Sequence, residues 1–96
     1  MVSLNWTEEA IADLRNIYEY ISNDSSHYAT IHIKRIRKKA RLLIQYPKLG
    51  RVVPEKGDEN IRELIYGNYR IIYRLVTKEK IDILTIYHSS RNFNLL

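Results

Sequence analysis

The 96-residue chain contains no cysteine. That excludes disulfides, thiolate zinc sites and cysteine nucleophiles together. Glycine and proline are scarce, at three and two, so breaks in regular structure are confined to a few places. No apolar run approaches the roughly 18 residues of a membrane span. The start does not read as a secretory signal, because its apolar residues are interrupted by Asn5, Glu8 and Glu9. A cytoplasmic address, with no membrane partner, is the resulting expectation. The most localised absence is of negative charge. Residues 25–54 hold Lys34, Arg35, Arg37, Lys38, Lys39, Arg41, Lys48 and Arg51 with no carboxylate, a net of +8. Residues 1–24 set Arg15 against Glu8, Glu9, Asp13, Glu19 and Asp24, a net of −4. A positive block of this density attracts polyanions or an acidic protein. As a plain reading, it is also a solvated helix face.

What remains is an ordinary globular composition, 45% hydrophobic and 28% charged, of a length that suits a single domain over residues 1–96. "VSLNW" alternates weakly, as an opening strand would. Thr7 is placed to cap a helix with Glu8 and Glu9 in its first turn. Ile11, Leu14, Ile17, Tyr18 and Ile21 then form a stripe at helical spacing. After "SNDSS", a second helix is expected from about Ser26 to Gln45, with Ala29, Ile33, Ile36, Ala40 and Leu43 on its apolar face. "YPKLGRVVPEKGDEN" has no periodicity and reads as a long surface loop, a length more often functional than idle. Three strands follow, at about Asn60–Tyr66, Tyr69–Val76 and Ile81–Tyr87, the first two joined by the hairpin signal Gly67-Asn68. The predicted class is α+β: an N-terminal strand, a two-helix hairpin, and a three-stranded antiparallel meander in one sheet with the helices on one face.

Turn lengths predict the pairing. The Gly67-Asn68 loop sets Tyr66 opposite Tyr69, Ile65 opposite Arg70 and Glu63 opposite Ile72. The "TKEK" turn sets Arg70 opposite Tyr87 and Tyr69 opposite His88. By alternation, Arg62, Leu64, Tyr66, Tyr69, Ile71, Tyr73, Leu75, Leu84 and Ile86 share the helix-side face. Ile61, Glu63, Ile65, Arg70, Ile72, Arg74, Ile81, Ile83, Thr85 and Tyr87 share the other, which has a charged end. His88 falls on the helix-side face at a strand end, from which a side chain can swing around the rim. Trp6 and the tyrosines at 18, 66, 69 and 73 read as core and core rim.

"WTEEAIADLRNIYEYI", "YPKLGRVVPE", "IREL", "GNYRIIYR" and "HSSR", in this order, resemble the RelE/ParE superfamily, the toxins of bacterial type II toxin–antitoxin pairs. The likeness covers almost the whole chain. It implies a cognate antitoxin as partner, and no metal or small-molecule cofactor. It does not by itself name the target. RelE-type members cut messenger RNA in the ribosomal A site, and ParE-type members poison DNA gyrase. A non-enzymatic member would bind antitoxin and co-repress its operon. An arginine cluster with a histidine makes a workable metal-free site, so a ribosome-dependent mRNA endonuclease is the expected activity, with gyrase poisoning as the alternative.

RNA cleavage by this route needs a base near the 2′-hydroxyl, an acid at the leaving oxygen and cations for the developing charge. On that reading Arg70 contacts the scissile phosphate through its two-pronged fork. His88 and Arg91 supply acid, base or phosphate contacts, and Glu63 is a candidate base. Arg51, Arg62, Arg74 and Tyr87 are candidate target contacts, Tyr87 by stacking on a base. Against it, the strand before "YR" lacks the paired lysines of RelE, and Phe93 stands where a terminal tyrosine is sought. Arg70 and Glu63 also read simply as a cross-strand ion pair worth less than about 1 kcal/mol. His27 and His32, five apart, are poorly spaced for a shared metal.

Overall fold

Thr7 sits in extended conformation, and its Oγ1 accepts the amide of Ala10 at 3.1 Å, which starts the first helix. The same hydroxyl donates to the carbonyl of Ile83 at 2.8 Å, so one side chain caps a helix and ties it to the last strand. The computed structural model describes residues 1–89. Its elements are β1 (Ser3–Trp6), α1 (Glu8–Ser22), α2 (Ser26–Gln45), β2 (Arg51–Val52), β3 (Ile61–Tyr66), β4 (Tyr69–Thr77) and β5 (Lys80–His88). The strands form one sheet in the order β1-β5-β4-β3-β2. β1 runs parallel to β5, and the other pairs are antiparallel. Among the described residues, no helix is long and apolar enough to cross a membrane.

The helices meet the expectation closely. α2 is capped by Ser25, whose Oγ accepts the amide of Tyr28 at 3.1 Å. It buries Ala29, Ile36, Ala40 and Leu43, with Ile33 packed beside them. α1 is turned slightly from the predicted stripe. Ala10, Leu14 and Ile17 are buried, whereas Ile11 and Tyr18 are exposed. The small Ala10 lets the helix approach the sheet where Thr7 anchors it, and a bulkier side chain there would hold the helix off. Both helices and the sheet close over a core that includes Leu64, Ile71, Tyr73, Ile81, Ile83 and Ile86.

The β3–β4 register is the one that Gly67-Asn68 predicts, with Gly67 at φ +55° in the turn. In β4–β5 the pairs Arg70↔Tyr87 and Tyr69↔His88 also hold, but the pairing steps twice, between Ile72 and Tyr73 and between Leu75 and Thr77. Leu84 is the extra residue at the first step and Val76 at the second. Each bulge inverts the alternation, so between them the faces exchange. Ile81 and Ile83, expected away from the helices, lie in the helix-side core, and Leu84 packs on the opposite face. A turn length gives the register at a turn only, and bulges further along leave no composition signal.

The loop after α2 holds the other departure. Arg51 and Val52 pair with Glu63 and Arg62 as an edge strand too short for any periodicity to announce. The chain then folds over the face opposite the helices, where Val53 is buried against Ile61, Ile72 and Tyr87, with Leu84 alongside. Tyr73 anchors the start of this loop from the core. Its hydroxyl donates to the carbonyl of Pro47 and accepts the amide of Gly50, both at 2.9 Å. A Cβ on Gly50 would lie 2.5 Å from the Glu63 carbonyl oxygen, so the approach requires glycine.

Candidate functional site

Glu63 pairs with Arg51 across β2–β3, and Arg70 lies diagonally across β3–β4 on the same face. Glu63 is only 1% exposed and uses both carboxylate oxygens. One accepts Arg51 Nε at 2.5 Å, and the other accepts Arg70 Nε at 2.6 Å. The outer nitrogens of Arg70 reach Glu55 in the covering loop, at 3.0 and 3.2 Å. The result is an alternating chain of charge, Arg51–Glu63–Arg70–Glu55, that closes the loop onto the sheet. The bidentate hydrogen bonds from Arg70 hold the Glu55 carboxyl below its usual pKa. The hydrogen bonds with Glu55, and then those with Glu63, raise Arg70 further against the opposing effect of burial.

The remaining expected site residues are distributed around this network. Tyr87 is buried beneath Val53 on the same face. Arg74 is exposed and borders a shallow pocket with Thr7, Lys56 and Leu84. Arg62 points to the alternate side of β3, where Nη1 donates to the Gly50 carbonyl at 3.1 Å and Nε to that of Glu59 at 3.1 Å. His88 is on the helix side, its ring edge-on to Tyr69 with centroids 5.2 Å apart. It lines a cleft of about 460 Å³ with Asp13, Asn16, Ile17 and Tyr20. Arg70 and His88 therefore face opposite sides of the sheet. Arg91, like Phe93, lies outside the described residues.

This placement constrains the chemistry. A base must accept a proton, and on Glu63 that would weaken two charge-assisted bonds at once. An anion approaching the outer edge of Arg70 meets Glu55 already in the position of a bound oxyanion. Among the described residues, no group of three or more His, Asp or Glu side chains is placed to hold a metal ion. Glu55 is the site member that residue-by-residue reading missed. It sits in an aperiodic loop, and its only signal was its place at the end of "YPKLGRVVPE".

Comparison with known proteins agrees with this fold. Residues 4–93 match the family described as the ParE toxin of type II toxin–antitoxin system, parDE. Toxin RelE2 of Caulobacter vibrioides is 31% identical over 91 residues, which is 95% of this chain and 99% of that protein. A solved structure described as the chromosomal ParDE TA system from P. aeruginosa superposes with a TM-score of 0.75 at 28% identity, covering 92% of this chain and 96% of that one. The chain belongs to the ParE toxin family of type II toxin–antitoxin systems.

Proposed function

We propose that this toxin acts by binding, as a ParE-type poison of DNA gyrase, and does not cleave messenger RNA. The observation that carries the reading is the closed network around Arg70. Its guanidinium is enclosed by Glu63 and Glu55, and His88 stands on the other side of the sheet. A metal-free ribonuclease needs acid, base and cation around one phosphate. Here the network instead braces a loop whose outer surface, with the exposed Arg51 and Arg74, is available for contact with a protein–DNA complex.

The second reading is the ribosome-dependent mRNA endonuclease expected from the residue types. It is favoured by the name of the RelE2 relative and by Arg70 itself, whose fork would accept a phosphate if Glu55 moved aside. Both targets imply a cytoplasmic protein. Induction in antitoxin-free cells separates the readings. Gyrase-linked DNA breaks with intact mRNA are expected, and purified toxin should stabilise gyrase–DNA cleavage complexes. New mRNA 5′ ends at codon-phased positions, lost in His88→Ala, would overturn the proposal. An absence of growth arrest despite antitoxin binding would instead leave the co-repressor role.

A further inference from the structure

Away from the arginine network, a groove of about 790 Å³ opens between the segment leaving α2 and the overhanging end of β4. Tyr46, Pro47 and Leu49 form one wall, and Leu75 and Val76 the other. Tyr46, Leu49 and Val76 remain 54%, 49% and 42% exposed. Their exposure is built in. Tyr73 holds the first wall by bonding Pro47 and Gly50 on either side of Leu49. The second wall is made by the bulge residue of β4, and a bulge is the usual device for re-aiming one side chain from a strand. The groove is preformed, which lowers the ordering cost of binding.

Its charge is of one sign. Among the described residues, Lys48 and Lys78 line the groove and no carboxylate does. Glu59 and Glu79, next in sequence to the lining residues Asn60 and Lys78, stand outside it. The carboxylate-free stretch 25–54 runs through the first wall. We propose that this groove docks an acidic segment of the cognate antitoxin, which inserts an aliphatic or aromatic side chain between Leu49 and Val76 while its carboxylates meet Lys48 and Lys78. The proposal rests on membership of a toxin–antitoxin family and is independent of whether the target is gyrase or the ribosome.

The test uses full-length toxin and its cognate antitoxin. Leu49→Asp and Val76→Asp change exposed side chains, and thermal melting checks that each variant folds. Each should weaken antitoxin binding by about 10- to 100-fold while growth arrest on induction persists and co-expressed antitoxin no longer rescues it. The double variant Lys48→Glu/Lys78→Glu, which leaves the apolar walls intact, should also weaken binding and flatten its dependence on salt. Affinities within about twofold of the parent for all three would overturn the proposal, since a docking contact of this kind carries more than that. Loss of toxicity with unchanged antitoxin affinity would overturn it too, by assigning the groove to the target. Self-association of the parent that the variants lose, again with antitoxin affinity unchanged, would overturn it in favour of a second copy of the chain.

Discussion

Glu63 holds two guanidinium groups from a site closed to solvent, so removing it leaves the buried Arg70 without one of its carboxylate partners. Glu63→Ala should cost about 3–5 kcal/mol, the range for breaking a buried ion pair from one side, measured by urea unfolding. A cost below about 1 kcal/mol would mean that the network relaxes into water. His32 makes a different residue-scale case. Among the described residues its Nε2 is buried without a hydrogen-bond partner, beside the rings of Tyr28, Tyr66 and Tyr69. Burial, and then the charge of Arg35, lower its pKa below 6.5. The unfolded chain therefore binds the proton more readily than the native one. Stability should fall as pH drops through about 6.5 towards the lowered native value, and stay level on this account above it. His32→Phe should reduce that acid-side loss in unfolding curves collected between about pH 5 and 7; an unchanged slope would place it on other groups.

At the scale of elements, the sheet is completed by side chains where strands run out. β1 pairs with β5 only as far as Ile83. Beyond it, Asp13 on α1 accepts the amide of Ile86 at 3.0 Å and the hydroxyl of Thr85, as a further strand would accept along that edge. Asp13→Ala should destabilise by about 1–3 kcal/mol, the cost of leaving buried polar groups unpaired, and should speed amide exchange at Ile86 selectively. The helices and the β3–β4 hairpin were legible because each is specified locally, by a cap, a period of 3.6 or a Gly-Asn turn. Edge strand β2, the two bulges and the Asp13 contact were not, since each depends on partners distant in the chain.

For the whole molecule, charge is segregated along the chain but paired where the fold brings distant segments together. The Arg70 face is internally compensated by Glu55 and Glu63, whereas the basic stretch 25–54 contains no carboxylate of its own. Long-range attraction for an acidic partner should therefore come chiefly from that stretch. The association rate with antitoxin should fall as salt rises from about 50 to 200 mM, with the dissociation rate changing less. Stopped-flow measurements would show this, and a salt-independent association rate would count against electrostatic steering.

The α+β class, both helices, the hairpin register and the family are legible in the chain alone, because caps, periodicity, turn chemistry and ordered motifs are written in neighbouring residues. The sequence also placed Arg70 and His88 on opposite faces, through the pairing that the "TKEK" turn implies, which holds at that end of β5 because the two bulges offset one another. The folded arrangement is what sets Glu55 over Arg70 and exchanges the faces of Ile81, Ile83 and Leu84. It alone also showed that Tyr73 would hold a loop from much earlier in the chain. Those outcomes follow from which surfaces come to lie a few ångströms apart after folding, and local propensity does not encode that distance.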